Sequence, residues 1–379
     1  MALLPGMPDV HFGYGVLAEL AGELARRGVT RPLILSDAAL AALGVADRAR
    51  AASGCGAAAR VFDGIPENPT IAGVEAALEA YRAGGCDGIV AVGGGSVLDS
   101  GKALRVVARQ GGRLIDYLRD PELIRPGLVP LITIPTTAGT GAEVTYGGGI
   151  HPEANAPALG IRSVHARPDL AICDPELTLT LPPRLTAATG MDALTHCVEG
   201  FLSTRDNPPL QAIALDGIAR VVRYVGRATA DGQDREARAA MLMAALEGGM
   251  SIWNGLGPIH SLSMAFGDSP LHHGTLVTVA MPAVMRFYSD LPGDKLQRVA
   301  AAMGLSAQGD AGEHIAAEVE RLNAALGLPA SVRAMGYAKT DVDRMAAEAH
   351  QAYFNLTSPR PPTLAQFEQL VVEVLGQAP

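Results

Sequence analysis

The first half of the chain alternates short β-rich runs with alanine-rich helical stretches, and that alternation narrows the possible folds most. The β-rich runs are Pro32-Leu-Ile-Leu-Ser36, Ala59-Arg-Val-Phe62, Gly88-Ile-Val-Ala-Val92 and Val129-Pro-Leu-Ile-Thr-Ile134. Ile71 to Ala83 and Ser100 to Arg109 are among the helical stretches between them. Strand and helix in turn, at this spacing, mean βαβ units and a mostly parallel sheet. Residues 143–172 are less regular, with Gly147-Gly-Gly149 and an extended stretch ending at Ala171-Ile-Cys173. After Asp174-Pro175 the strand patterns stop, and Pro182-Pro183 suits the start of a helix. These features predict an α/β domain over 1–177 and an all-helical domain over 178–379.

Composition sets the outer limits. A chain of 379 residues with 48% hydrophobic and 18% charged residues is globular and long enough for about two domains. A net charge of -9 argues against a nucleic-acid or anionic-membrane surface. No apolar run is long enough for a membrane span, and Met1 to Pro5 lacks the pattern of a secretory leader. Cys55, Cys86, Cys173 and Cys197 are scattered, so reduced thiols in a cytoplasmic protein are expected rather than disulfides or a thiolate zinc site. Of 30 basic residues only Lys102, Lys295 and Lys339 are lysines, which draws attention to a lysine inside a motif.

Two loops carry ligand-binding chemistry. The apolar run to Val92 enters Gly93-Gly-Gly-Ser96, and Val-Leu-Asp99-Ser-Gly-Lys102 opens a helix. Glycines allow unusual φ values and close backbone approach, and a helix N-terminus offers N–H groups to a diphosphate. An ordinary strand–turn–helix corner, with Lys102 on a helix surface, would look the same. Pro135-Thr-Thr-Ala-Gly-Thr-Gly-Ala-Glu-Val-Thr145 brings hydroxyls and glycines to the end of another strand. Asp37, after Ser36, could accept bonds from an adenosine ribose and repel a 2′-phosphate, or simply cap a helix.

A metal constellation lies in the second half. Asp192 and His196 are four residues apart and share a helix face. His260 follows Gly255-Leu-Gly-Pro-Ile, and His272-His273-Gly274 comes next. One carboxylate and three imidazoles could hold Fe²⁺ or Zn²⁺ and leave a position open. Each histidine taken alone fits a structural role better than a ligand role.

Taken in order, Gly93-Gly-Gly-Ser96 with Asp99, Pro135-Thr-Thr-Ala-Gly-Thr-Gly141, Asp174-Pro-Glu-Leu177, Thr189-Gly-Met-Asp-Ala-Leu-Thr-His196 and His272-His-Gly274 resemble the iron-containing (group III) metal-dependent alcohol dehydrogenases. The resemblance covers nearly the whole chain. Within the family it is most similar to the 4-hydroxybutyrate dehydrogenase branch, through Cys173-Asp-Pro-Glu-Leu-Thr178, Asn207-Pro-Pro209, Asp231-Gly-Gln-Asp-Arg235, His260-Ser-Leu-Ser263 and Leu271-His-His-Gly-Thr275. It implies a Rossmann-like N-terminal domain, a helical C-terminal domain of the dehydroquinate synthase-like type, and an active site between them. It implies Asp192, His196, His260 and His273 as ligands of one divalent metal, Fe²⁺ ahead of Zn²⁺. It implies Gly94, Gly95, Ser96 and Asp99 at the diphosphate, and Thr136, Thr137, Thr140 and Thr145 as further cofactor contacts. Asp37 and Asn68 fall near the adenosine. The cofactor implied is NAD, with NADP still open. The reaction implied is hydride exchange with a short primary alcohol or aldehyde, of the 4-hydroxybutyrate/succinic semialdehyde type, in a homodimer or larger homo-oligomer.

Two departures stand out. Met264 occupies the position of the family's second histidine, four residues after His260, so His272 or water must move the proton. Ala158 stands where many members carry a lysine; Arg162 is the available substitute cation, and with His165 the candidate partner for an anionic tail. Three alternatives remain: a phosphonoacetaldehyde reductase-type enzyme, an NAD-binding protein with catalysis weakened at Met264, and a glycerol dehydrogenase or dehydroquinate synthase-like enzyme.

Overall fold

The computed structural model describes residues 6–376 except 155 and 307. Met1 to Pro5, read above for a leader, lie outside the described residues. The chain divides into two compact units, which are described separately: Gly6–Thr137 with Ala142–Thr180, and Ala138–Gly141 with the residues from Leu181 onward.

The first unit is built on strands β1 (Asp9–Phe12), β2 (Pro32–Leu35), β3 (Arg60–Phe62), β4 (Gly88–Gly93), β5 (Leu131–Pro135), β6 (Gly147–Ile150), β7 (Leu159–Arg162) and β8 (Leu170–Cys173). Six form one sheet in the order β1-β8-β5-β4-β2-β3, and every pairing in it is parallel. Helices such as Ile71–Ala83 and Gly95–Gln110 make the crossovers that parallel strands require. Side chains alternate across the strands. Leu33, Leu35, Ile89, Ala91 and Leu131 enter one buried cluster. Ile34, Val90, Val92, Ile132, Ile134, Leu170 and Ile172 enter another. The central strands are therefore apolar on both faces, as parallel sheets demand.

β6 and β7 form a separate antiparallel pair, Gly147↔Arg162 to Ile150↔Leu159. This pair falls in the stretch read as irregular. A strand of three glycines and one isoleucine has almost no β-branched signal to read. The helix after β4 begins at Gly95, five positions before the sequence estimate, because glycine-rich first turns have low helix propensity.

The second unit is helical; among the described residues no strand follows Cys173. Its main helices are Pro183–Leu202, Pro208–Ala230, Arg235–Ile252, Pro258–Met264, His273–Phe287, Ala311–Ala325, Val342–Gln351 and Leu364–Leu375. Among the described residues no helix is long and apolar enough to cross a membrane.

Candidate functional site

The candidate metal cluster is built on Pro183–Leu202. Proline in the first turn fits where an N–H is not needed. The helix is buried from Thr186 through Leu202, so it is surrounded by protein on all sides. Its polar residues must then find partners inside. Thr189 and Thr195 donate to the carbonyls four residues back, at 2.8 and 3.0 Å. Asp192, His196 and Glu199 remain, at spacings that align them along one face.

His260 comes from the helix Pro258–Met264, and His273 opens the helix His273–Phe287. One ligand atom each of Asp192, His260 and His273 lies within 4.8 Å of the others. His196 Nε2 is 3.6 Å from Asp192 Oδ1. The His196 and His260 rings stack at 4.8 Å, and His260 meets His273 at 5.5 Å. Asp192 Oδ1 and His260 Nε2 are buried with no hydrogen-bond partner among the described residues. Leaving such atoms unmatched costs about 1–3 kcal/mol each. A divalent cation held there would satisfy both, and one carboxylate with three imidazoles is a fitting donor set for it.

Two residues orient the rings. Glu199 accepts from His260 Nδ1 at 2.6 Å and from the Ile259 amide at 2.7 Å, which aims His260 Nε2 at the cluster. His196 Nδ1 lies 3.3 Å from the Gly139 carbonyl, so its Nε2 faces inward. Gly139 must be glycine for this approach: an added Cβ would fall 2.6 Å from the Thr189 carbonyl oxygen. Burial pushes the His196 pKa well below its usual value, and the neighbouring His260 adds to the shift. Desolvation by the surrounding protein lowers the His273 pKa to about 4, although the residue is exposed at the surface. Both rings are neutral near pH 7, the form that donates a lone pair to a metal.

The sequence reading missed Glu199. Its signal was present, since it is three residues beyond His196 on the same helix face. His272 precedes the helix as its N-cap residue; its Nδ1 lies 3.4 Å from Thr275 Oγ1. Met264 ends the helix that bears His260.

The cofactor candidates of the α/β unit group around the end of β4. Gly94 precedes the helix Gly95–Gln110, and no side chain caps that N-terminus. The expectation of unusual φ values is corrected here: Gly94 has φ -77, and none of Gly93, Gly94 and Gly95 has positive φ. Close approach explains the glycines instead, since a Cβ on Gly93 would fall 2.6 Å from Val97. Thr137 lines the same turn, 3.3 Å from where a Gly94 Cβ would lie. The Thr136 amide bonds the Gly93 carbonyl at 3.0 Å. Ser96 Oγ donates to the Glu67 carbonyl, and Asn68 beside it is exposed.

Asp37 caps the short helix Ala38–Ala42, accepting from the Leu40 amide at 2.9 Å with one carboxylate oxygen. Asp99 accepts from Lys102 Nζ at 3.0 Å and from the Gly149 amide at 3.0 Å. Lys102 is not a surface lysine: it is fully buried, and its ammonium also reaches Thr145 Oγ1 at 2.8 Å and the Gly147 carbonyl at 2.7 Å. Three acceptors match the three donors of an ammonium. Asp99 and Thr145 therefore brace the helix against β6. Thr140 belongs with Ala138–Gly141, in the helical unit. Arg162, at the end of β7, and His165 are exposed.

Comparison with known proteins places this geometry in context. A family model described as iron-containing alcohol dehydrogenase matches residues 8–175. Another, the C-terminal model of the Fe-containing alcohol dehydrogenase family, matches residues 186–375. The chain is 42% identical to the 4-hydroxybutyrate dehydrogenase of Cupriavidus necator, covering 98% of this chain and 99% of that one. The solved structure of a 1,3-propanediol oxidoreductase matches with a TM-score of 0.92 at 31% identity, over 98% of this chain and 99% of that one. A sulfoacetaldehyde reductase from Bifidobacterium kashiwanohense, solved in complex with NAD+, matches with a TM-score of 0.91 at 25% identity over 100% of both chains.

Proposed function

This chain belongs to the iron-containing alcohol dehydrogenase family, and we propose that it interconverts 4-hydroxybutyrate and succinic semialdehyde, or a close short-chain analogue, with NAD(H). The observation that carries the reading is the pair of buried, unpartnered atoms Asp192 Oδ1 and His260 Nε2, with His196 and His273 beside them. Asp192, His196, His260 and His273 would hold one divalent cation, Fe²⁺ ahead of Zn²⁺. Such a cation supplies Lewis-acid polarisation of the alcohol or aldehyde oxygen, and the nicotinamide supplies or accepts the hydride.

The chain's own residues position and tune. Glu199 and the Gly139 carbonyl fix the tautomers of His260 and His196, so that the lone pairs point at the cluster. His272 is the group proposed to move the substrate proton, in place of the histidine absent at Met264. Gly94, Gly95 and Ser96 at the uncapped helix N-terminus would hold the diphosphate, with Thr136 and Thr137 beside it, and Thr140 is a further proposed cofactor contact. Asp99 and Thr145 serve the same site from behind, through Lys102. Asp37 and Asn68 are the adenosine-end candidates, and the carboxylate of Asp37 favours NAD over NADP. We assign the cofactor to 1–177 and the metal to 178–379, in a cytoplasmic homo-oligomer.

The name of the 42%-identical relative supports a carboxylate-tailed substrate. The sulfoacetaldehyde reductase neighbour supports a second reading, an aldehyde with a sulfonate or phosphonate tail. A panel of carboxylate-tailed, sulfonate-tailed, phosphonate-tailed and neutral aldehydes, run with NADH and NADPH while metal content is measured, tests both. Succinic semialdehyde with NADH is expected to give the highest kcat/KM, and chelation to abolish it. Full activity after complete metal removal would refute the metal role. Preference for a neutral aldehyde would refute the anionic tail.

A further inference from the structure

The segment joining His260 to His273 is unusual in this sequence, because Met264-Ala-Phe-Gly-Asp268 stands where the resembled family has a different pattern. It leaves the helix Pro258–Met264 through successive turns: the Ala265, Phe266 and Gly267 amides bond the carbonyls of Leu262, Ser263 and Met264 at 3.1, 3.2 and 3.0 Å. At its middle stands Asp268. Its Oδ2 accepts from Lys339 Nζ at 2.6 Å and lies 3.0 Å from Arg344 Nη2. Its Oδ1 accepts from the Tyr337 hydroxyl at 3.1 Å. Lys339 Nζ also reaches the Asp268 carbonyl at 3.3 Å. Two residues earlier, Phe266 is buried edge-on against the Tyr337 ring, with centroids 5.2 Å apart.

One carboxylate thus holds two cations and a phenol from a region about seventy residues further along. Arg344 is held in turn by Glu348 at 2.8 Å and by the Tyr337 hydroxyl at 3.2 Å. The Asp268 side chain is 20% exposed, so its ion pairs are stronger than those of a freely solvated pair yet remain open to screening by salt. His196 and His260 are each oriented by a hydrogen bond at Nδ1. No such bond holds His273 among the described residues. His273 opens the packed helix His273–Phe287 and directly follows residues 265–272, so its place depends on that helix and on the path of this segment together.

We propose that Asp268 is a positioning residue for the metal, an ionic latch that ties the 265–272 segment to Tyr337, Lys339 and Arg344 and thereby holds His273 against Asp192 and His260. The inference rests on the reading that this cluster binds a divalent ion. Metal affinity, and the rate of metal loss above all, should depend on a carboxylate that never touches the metal.

The test uses full-length protein stripped of metal and titrated with Co²⁺, whose visible bands report ligand geometry. Wild type is expected to bind one equivalent. Asp268→Asn is expected to raise the Co²⁺ Kd at least tenfold, to speed release, and to alter the bands. Rising ionic strength should speed Co²⁺ release from wild type and have little effect on the variant. Lys339→Met and Tyr337→Phe, which keep the carboxylate, should each show a smaller loosening and serve if Asp268→Asn folds poorly. Unchanged Kd, release rate and bands in Asp268→Asn, or in both of the milder variants, would overturn the latch while leaving the metal site standing. Failure of wild type to bind Co²⁺ would overturn both.

Discussion

Glu199→Gln is the sharpest probe of how the cluster is organised. The two side chains have nearly the same shape, so packing at this buried position is kept. The carboxylate accepts two bonds, from His260 Nδ1 at 2.6 Å and from the Ile259 amide at 2.7 Å. An amide has one oxygen, so it can serve only one of these donors while its NH₂ faces the other. If the NH₂ faces His260, the ring must turn its lone pair to Glu199's position and carry its proton on Nε2, where it cannot ligate. If the NH₂ faces Ile259, a buried backbone N–H loses its partner. Either outcome removes a charge-assisted bond worth about 1.5–3 kcal/mol. Loss of an orienting partner of a ligand histidine typically weakens metal binding by about 10–100-fold. The assay is a chelator-competition titration of metal-free wild type and variant, with far-UV circular dichroism to establish folding. An unchanged metal Kd in a folded Glu199→Gln protein would refute the orienting role.

Two further perturbations follow from the helical unit. Burial pushes Glu247 up to about 8, helped by a hydrogen bond with Asp216. The folded state therefore holds this proton where the unfolded chain has released it, and stability falls as pH rises from about 4.5 through about 8, by at most about 1.4 kcal/mol per pH unit. Glu247→Gln keeps the neutral shape, so its stability relative to wild type is expected to increase over that window; parallel denaturation curves from pH 5 to 9 would expose the error. Met264→His restores the second histidine of the resembled family, and kcat is expected to change less than about tenfold if His272 already moves the proton. A gain of about 10²–10⁴-fold, the usual range of general acid–base help, would show instead that the native chain lacks a proton route.

Legibility in the sequence followed the range of the interaction. The parallel sheet and its crossovers were readable because β2, β4 and β5 are short apolar runs between amphipathic helices. β6 was not, because Gly147-Gly-Gly149 owes its strand conformation to pairing with β7 rather than to its own propensity. Lys102 was flagged by its rarity, but burial beneath β6 and its three acceptors could not be read from spacing. Asp37 was left between a cap and a ribose ligand, and the Leu40 amide supplies the cap bond.

By itself the sequence determined that Asp192 and His196 share a helix face, because a helix turns about 100° per residue and that relation is local. It also placed the glycine turn at the end of an apolar strand, which is a matter of chain order. Only tertiary structure decided that Glu199 meets His260, 61 positions along the chain, and that Asp268 meets Lys339, 71 positions along. Such contacts depend on how helices pack, through the sum of many small side-chain interactions. No period or motif encodes that sum, so the candidate ligands were visible in the sequence and the groups that aim them were not.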